Sequence, residues 1–470
     1  MLESRSAATL GSIGSLSIAH ERVEYVFGPY RLDPSRELLK FGSKVIPLPI
    51  RLFALLHALI KADGNLVTRE TLSSLIWPEG GMDESNLSQH IYMLRQILGE
   101  SAREHQFIIT VHGKGFRFAA PVTVLNGVHA NGSPVNRAPM TASGPENPLH
   151  AGYDAFASYS RGTELLERPN AANLALAIER FNAALGIDGA FAPALVGLAR
   201  AFALKAQYGY APGNWVLPQA LDAIGRALAI APSSPAAHAV NARVTLLALW
   251  DWEAAKNAID TAMSLNEASP LVHAAASFLH ECAGDYTNAS IELQHALVLA
   301  PYSFNLQFVL GRLLFIAADY ERGAAHFSHL LEKDPTFQPA RAYRAECYVL
   351  TGRLQDALAE LYPAERYSKE DLALRLPLLC RTYADAGNKK AAEATYEQLV
   401  EASRTSFVSC GCLALCAIAL ERYEEALDYL KRALASREPS LLLMRNSPWF
   451  ARVSSSEQFV RVLGDVKPRR

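Results

Sequence analysis

The chain has few cysteines for its length. Six occur among 470 residues, and all of them lie in the second half. They are Cys282, Cys347, Cys380, Cys410, Cys412 and Cys416. Small secreted domains that depend on disulfides have a much denser cysteine pattern, so no disulfide scaffold is predicted. The pattern is typical of a protein kept in a reducing cytoplasm.

Long apolar runs and an excess of one charge are also missing. The longest apolar stretches, 308–318 and 410–420, fall well short of the roughly 18 residues that a membrane-spanning helix needs. No continuous apolar segment follows Arg5, so we expect no signal peptide and a cytoplasmic protein without membrane attachment. The formal net charge of -2 gives no overall attraction to nucleic acid, and any such binding requires a local site.

Motifs of known catalytic chemistry are absent from the sequence. It has no phosphate-binding glycine loop, paired-histidine zinc motif, nucleophile elbow or kinase motif set. We therefore expect no enzyme, no cofactor and no metal. Cys410, Cys412 and Cys416 come nearest to a metal or redox motif, but only the last two would share a helix face and no histidine pair completes four ligands. Buried, packed cysteines are favoured, and a redox role stays open.

The residue composition and hydrophobic patterning divide the chain into five parts. Residues 1–21 have little pattern and are expected to form a flexible tail. Residues 22–121 mix short strand-like and helical stretches, whereas 122–150 are dense in glycine, proline and asparagine, as in a linker. From 151 to 436 alanine and leucine recur with helical spacing, and 437–470 are expected to form a C-terminal cap. The predicted fold class is multidomain, with a small α+β domain followed by an all-α array.

Small residues in the second half recur with a period of about 34 residues. They are Ala177, Ala220, Ala255, Ala289, Gly323, Ala357, Ala392 and Ala426. Four positions later comes a bulky residue, as in Phe181 and Phe327, and seven positions later comes alanine or leucine. A small residue lets two helices approach closely while the bulky one fills the groove beside it. Five positions before a marker we expect a turn: Trp250, Gly284, Ala318, Gly352 and Gly387.

This register resembles a tetratricopeptide repeat array of about eight units. The resemblance covers roughly residues 152–436, and the long first gap predicts an insertion at 208–217. Such arrays present a concave inner surface, formed by one helix of each repeat, on which proteins or peptides bind. We therefore expect a protein or peptide ligand in this groove, with RNA polymerase or a regulatory partner as candidates. Self-association is the alternative.

The sequence of residues 22–121 predicts three helices followed by a two-stranded ribbon. Residues 25–46 read as short strands with turns between them. Residues 50–60 form a first helix, 68–77 a second, and the third begins at Asp83 or Ser85 and ends at Leu98. Strands within 107–119 then flank the sequence His-Gly-Lys-Gly. This order is typical of a winged helix-turn-helix module.

Particular residues of this part resemble the OmpR/PhoB-type DNA-binding domain. They are the segments FGPYRLD (27–33), Trp77-Pro78, NLSQHI (86–91) and TVHGKGFRF (110–118). The resemblance spans about 95 residues and implies a winged-helix fold that binds double-stranded promoter DNA. The module is joined to repeats and no receiver domain is expected in front of it, so the organisation resembles that of HilA-like bacterial regulators.

The third helix is expected to enter the major groove, which is wide enough to admit it. Leu87, Ile91, Leu94 and Leu98 form one apolar stripe that faces the domain core. The candidates for contact with base edges lie on the other side, and they are Ser85, Ser88, Gln89, Tyr92 and Met93. A Gln89 amide can bond adenine through two hydrogen bonds. The resemblance implies phosphate contacts for His90 and Arg95 at the flanks.

The ribbon supplies a second set of candidates. Lys114 at its tip and His112 are expected to reach the DNA backbone or the adjacent minor groove. The resemblance places Thr110 and Trp77 near phosphate, and Arg117 either contacts phosphate or is solvated. Residues 21–121 contain 12 Lys and Arg against 11 Asp and Glu, so binding should depend weakly on salt and require dimerisation or a partner.

These observations predict a one-component transcriptional regulator, active as a possible homodimer on DNA. Its repeats would bind a partner or self-associate and so change promoter occupancy. Two alternatives remain open. In one the chain is an interaction scaffold whose winged helix holds a protein. In the other it is a small-molecule sensor that acts through the repeat domain.

Overall fold

The computed structural model describes most of the chain. The described residues are 22–34, 36, 38–42, 44–46, 48, 50–76, 84–100, 106–111, 114–127, 148–363, 367–444, 447–464 and 466. They form two compact units, one within residues 1–76 and 98–145 and the other within 77–97 and 146–470. Among the described helices, none combines the length and apolarity needed to cross a bilayer.

The described residues of the first unit form two antiparallel sheets and two helices. Its strands are β1 (Arg22–Phe27), β2 (Tyr30–Asp33), β3 (Leu38–Phe41), β4 (Lys44–Ile46), β5 (Val67–Thr68), β6 (Ile108–Val111), β7 (Gly115–Phe118) and β8 (Thr123–Gly127). The larger sheet has the order β4-β3-β2-β1-β8 and the smaller one β5-β7-β6. The helices are α1 (Ile50–Lys61) and α2 (Arg69–Ile76).

The strand β8 corrects the predicted start of the linker. The sequence boundary was Pro121, but Thr123–Gly127 pairs along β1, with Val124 opposite Tyr25. Such pairing brings together segments about one hundred residues apart, so local turn chemistry cannot reveal it. Of the rest of the predicted linker, 122–150, residues 128–147 lie outside the described residues, and 148–150 already belong to α4. The predicted tail 1–21 also lies outside the described residues.

Aromatic residues form the core of the first unit. The Phe27 ring stacks on Tyr30 and meets Phe118 edge-on, with centroids 5.5 and 5.2 Å apart. Phe107 packs edge-on against Tyr30 at 5.5 Å. The Glu100 carboxylate accepts hydrogen bonds from the backbone N–H groups of Phe107 and Ile108 and so fixes the start of the ribbon. These contacts give β6 and β7 a rigid base.

Helices make up the second unit. It contains α3 (Glu84–Ile97), α4 (Pro148–Leu165), α5 (Ala171–Ile187), α6 (Ala192–Gln207), α7 (Gly213–Ile230), α8 (Pro235–Leu249), α9 (Trp252–Leu265), α10 (Pro270–Ala283), α11 (Tyr286–Leu299), α12 (Phe304–Ile316) and α13 (Tyr320–Lys333). It continues with α14 (Gln338–Leu350), α15 (Leu354–Leu361), α16 (Leu372–Asp385), α17 (Lys389–Thr405), α18 (Cys410–Ala419), α19 (Tyr423–Ala435), α20 (Leu441–Met444) and α21 (Glu457–Gly464). Short 3-10 helices lie at Lys369–Asp371 and Pro448–Val453.

The repeat register is confirmed in the described chain. Each marker lies in the second helix of a consecutive pair, from Ala177 in α5 to Ala426 in α19. The alanine markers are fully buried, as are Phe181 and Phe327 four positions after theirs. Ala364, the small residue expected after Ala357, lies outside the described residues.

The turns between paired helices use left-handed backbone, as their position predicts. Gly284, Gly352 and Gly387 have φ of 83°, 76° and 75°, and the non-glycine residues Trp250 and Ala318 have φ of 56° and 61°. A left-handed residue just after a helix lets its N–H groups bond the last carbonyls of that helix. The chain therefore reverses direction between the two helices of a pair within one or two residues.

The predicted insertion at 208–217 is partly wrong. Only 208–212 are irregular, because α7 already begins at Gly213 and is 18 residues long, against 14 for α9 and α11. The extra residues therefore lengthen a helix instead of forming a separate loop. In the C-terminal part, Phe459 on α21 is buried and meets the Tyr423 ring of α19 edge-on at 6.4 Å.

Candidate nucleic-acid interface

The third helix of the chain has the amphipathic form that a groove-reading helix needs. Leu87 and Leu94 are fully buried, and Ile91 and Leu98 are almost so. The apolar stripe predicted from the sequence is therefore confirmed. The stripe thus forms the buried side of α3.

The polar side of α3 carries most of the candidates for base contact. Ser85, Ser88, Gln89 and Tyr92 are helical residues, but their side chains lie outside the described part of the chain. In an ideal helix with 100° per residue, positions 85, 89 and 92 fall within a sector about 60° wide, opposite the positions of the apolar stripe. Position 88 falls about 40° outside that sector. Their assignment to base edges stays a prediction.

Met93 does not belong with them, and its assignment was wrong. Its side chain is 3% exposed, and Ile97 one turn later is 4% exposed. The buried sector of α3 is thus wider than the predicted stripe on the side of these two residues. A side chain this deeply buried cannot reach a base edge.

The two flanking residues are partly buried. The His90 ring meets the Phe156 ring of α4 edge-on, with centroids 5.6 Å apart and an interplanar angle of 89°. Phe156 itself is 4% exposed. This contact occupies one side of the imidazole, so a phosphate contact would have to use the other side. Arg95 is also partly buried, and its predicted phosphate contact remains a prediction.

The ribbon is built around a glycine. The Lys114 N–H donates to the Val111 carbonyl at 3.0 Å, which closes the turn between β6 and β7. A Cβ on Gly115, whose φ is 152°, would lie 2.1 Å from the Val67 carbonyl oxygen. Gly115, the first residue of β7, must therefore be glycine, because no larger residue fits against β5.

The side chains of the ribbon alternate as expected for a two-stranded wing. Lys114 and Arg117 are exposed, whereas Phe116 and Phe118 on either side of Arg117 are 2% exposed. Thr110 on β6 is partly buried. Trp77 and His112, two further candidates, lie outside the described residues.

Arg69 is a cation that sequence reasoning missed. Its guanidinium lies over the Phe116 ring, 5.3 Å from the centroid, at the start of α2. A basic residue in the first turn of a helix is unfavourable for the helix dipole. The ring contact joins residues far apart in the sequence and therefore has no local signal.

Comparisons with known proteins agree with this geometry. Residues 43–118 match the family described as "Transcriptional regulatory protein, C terminal". The chain carries an OmpR/PhoB-type regulator domain. The chain is 35% identical to the transcriptional regulator HilA of Salmonella typhimurium (strain LT2) over 103 residues. The aligned part makes up 22% of this chain and 18% of HilA. The match therefore spans less than a fifth of that relative's length.

Solved structures resemble the OmpR/PhoB-type domain and the repeats separately. The DNA-binding domain of E. coli CadC is 22% identical, with a TM-score of 0.20, and covers 22% of this chain and 97% of its own. A tetratricopeptide repeat protein from Parabacteroides merdae is 16% identical, with a TM-score of 0.37, and covers 58% of this chain and 99% of its own. The paired helices and the register of about 34 residues are features of this chain's own structure.

The cysteines lie in the packed part of the repeats. Cys416 is buried, and Cys410 and Cys412 are partly buried on the same helix, α18. Burial and the nearby Glu438 carboxylate raise the pKa of Cys410 to about 11 and that of Cys412 to about 12. At neutral pH these thiols are protonated, and a protonated thiol is a poor nucleophile and a poor metal ligand.

Three potential ligands that sequence reasoning did not combine lie together on α10 and α11. They are His273, Glu292 and His295, whose ligand atoms lie within 4.8 Å of one another. Both ring nitrogens of His273 already have partners, Glu292 Oε2 at 2.7 Å and the Glu267 carbonyl at 2.8 Å. These hydrogen bonds account for the cluster as a connection between neighbouring helices.

Proposed function

We propose that the protein is a sequence-specific DNA-binding transcriptional regulator. In this proposal the polar side of α3 reads the major groove, with Gln89 as the principal base contact. Lys114 and Arg117 of the ribbon contact the DNA backbone and hold the register. The protein acts in the cytoplasm as a one-component regulator, and its repeats bind a protein or peptide or self-associate to change promoter occupancy.

The amphipathic α3 carries this proposal. Leucine and isoleucine fix one side of the helix, and the opposite side consists of small polar residues, glutamine and tyrosine. A helix fixed in this way can present a polar side to base edges without a conformational change. The exposed Lys114 and Arg117 add the backbone contacts that orient such a helix.

The charge of the domain predicts weak dependence on salt. Lysines and arginines of residues 21–121 nearly balance the acidic residues, so few counterions leave the DNA on binding. Affinity must then come from two copies on one site or from a partner held by the repeats. An affinity that falls with salt as steeply as for roughly ten phosphate contacts would contradict this view.

The experiment that tests the proposal is a selection of duplexes by the full chain. The chain is incubated with random double-stranded DNA, and bound duplexes are sequenced after repeated rounds. We expect enrichment of one motif, and protection of that motif in a footprint. The fragment 1–127, which keeps β8, is tested in parallel.

A variant serves as the control for the selection. Gln89→Ala should still bind duplexes but with a broader motif, because phosphate contacts remain. If neither the full chain nor the fragment enriches any motif, the chain does not read DNA. The interaction scaffold would then be the better account.

A further inference from the structure

A pocket lies on the inner side of the repeats. Its residues come from α6, α8, α10 and α12, the first helices of four consecutive units, together with Tyr208 just after α6 and one leucine from α11. The space that it encloses is about 30 Å³, room for roughly two water molecules, and the rest of its volume is open to solvent. The first helices line the concave surface of such arrays, so the pocket opens on the face used for binding.

Three arginines give the pocket its charge. Arg200, Arg243 and Arg312 all line it, from α6, α8 and α12. Arg312 is paired with Glu281 through two hydrogen bonds of 2.8 and 2.6 Å. Within the described chain neither Arg200 nor Arg243 has a carboxylate at ion-pair distance. The pocket therefore holds an excess of two positive charges over its carboxylate.

The Arg243 guanidinium is held in place from two sides. It lies over the Phe278 ring, 3.9 Å from the centroid, and its Nη1 donates to Gln207 Oε1 at 2.7 Å. Burial lowers the pKa of Arg243 to about 10, even though the nearby Tyr208 hydroxyl acts in the opposite direction. The group is still charged at neutral pH. A fixed cation whose charged form is disfavoured by burial gains most from an anion.

Unused donors point to the same ligand chemistry. Gln207 is 5% exposed, and its Nε2 has no hydrogen-bond partner among the described residues. Arg312 is 2% exposed, and its Nη1 likewise makes no hydrogen bond of normal geometry within the described chain, with the Tyr208 hydroxyl as its polar neighbour. A buried donor without a partner is unfavourable. An anionic group between Arg243 and Arg312 would accept from both.

The remaining wall of the pocket is apolar. Val240 on α8 and Leu306 and Val309 on α12 line it beside the arginines. A carboxylate or phosphate alone would leave this apolar surface in contact with water. A ligand that joins an anionic group to a short apolar chain satisfies both parts of the wall.

We propose that this pocket binds a small molecule that carries a carboxylate or phosphate on a short apolar chain. The inference rests on the proposed ligand-binding role of the repeats, but its test measures binding directly, without DNA. A chain that does not bind DNA and a pocket that does not bind the ligand would therefore be recognised by different experiments. The C-terminal carboxylate of a peptide has the same chemistry, and the test distinguishes the two sources.

The experiment is calorimetric titration of the full chain with a matched series. Hexanoate, hexyl phosphate and uncharged hexanamide share their apolar chain and differ in charge. We expect the two anions to bind and hexanamide to bind at least about ten-fold more weakly. Equal binding of hexanamide, or no binding of either anion, would overturn the proposal.

Variants separate the pocket from the rest of the surface. Arg243→Met keeps the length of the side chain, removes the charge, and should weaken anion binding at least about ten-fold. Arg226→Met, on the exposed side of α7, should leave it unchanged. If Arg243→Met lowers the helical content, anion binding is measured with Arg200→Met instead, and the same loss of affinity is expected. Unchanged affinity in a folded pocket variant would count against the proposal.

A peptide arm identifies the source of the anion. A leucine-rich tripeptide with a free C-terminus is compared with its amide. If the free peptide binds more tightly than hexanoate and the amide does not bind, the small-molecule assignment is wrong and the pocket captures chain ends. If neither binds better than hexanoate, the small-molecule assignment is supported.

Discussion

Arg312 and Glu281 join α12 to α10 through a buried pair of parallel hydrogen bonds. Nε donates to Oε1 at 2.8 Å and Nη2 to Oε2 at 2.6 Å. The two side chains are only 3% and 1% exposed. Burial alone would lower the pKa of Arg312, but the Glu281 carboxylate outweighs it and raises the pKa. The pair thus connects first helices of adjacent repeats at the pocket that Arg312 lines.

Glu281→Gln should destabilise the repeats strongly. It leaves the Arg312 charge buried without a counterion, which costs about 3–5 kcal/mol. The thermal midpoint, followed by circular dichroism of the full chain, should fall accordingly. Asp222→Asn is the matched control, because its partner Arg226 is exposed and such pairs contribute about 0–1 kcal/mol. Equal shifts in the two variants would contradict this account of the buried pair.

The left-handed turns predict opposite effects of glycine at two equivalent positions. Ala318 is exposed at φ 61°, so Ala318→Gly removes backbone strain without losing packing and should stabilise by about 1 kcal/mol. Gly352→Ala should destabilise by a similar amount, although nothing lies within 4 Å of the added Cβ. Both are measured as unfolding midpoints in urea. Midpoints that move in the same direction would show that φ is not the cause.

The Glu346 carboxyl predicts a dependence of stability on pH. Burial raises its pKa from 4.5 to about 7, although Arg381 and a hydrogen bond with Trp449 lower it. The folded state therefore favours the protonated form. Its stabilising contribution is complete below about pH 4.5 and is lost as pH rises to about 7.

Glu346→Gln removes this dependence. The variant should be more stable than the natural chain by about 1–3 kcal/mol at about pH 8, and nearly equal to it below about pH 5. The measurement is the urea midpoint at the two pH values. Glu397→Gln, on the exposed side of α17, is the control. A difference that does not change with pH would exclude the carboxyl as its origin.

Substitutions in the two parts of the DNA interface should have different effects. Gln89→Ala should reduce discrimination between the selected motif and its single-base variants by about 1–3 kcal/mol. Lys114→Ala should weaken binding to all duplexes to a similar degree and reduce the slope of affinity against salt by about one. Band-shift titrations at several salt concentrations measure both. The same pattern from both variants would refute the division into base and backbone contacts.

The repeats could be predicted from the sequence because their determinants are local. A marker such as Ala289 and the bulky Leu293 four positions later lie on one face of one helix. Gly284, five positions before the marker, needs only its own backbone conformation. The apolar stripe of α3 follows from helical spacing in the same way. Periodicity reports which residues share a face.

Features that depend on contacts between distant segments could be known only from the tertiary structure. Pairing of β8 with β1, burial of Met93, and the meeting of Arg200, Arg243 and Arg312 in one pocket have no local signal. The three arginines come together because stacked helix pairs bring side chains from separate repeats to the same face. Spacing along the chain assigns a residue to one side of its own helix, whereas its neighbours, and hence its charge environment, are set by how helices pack on one another.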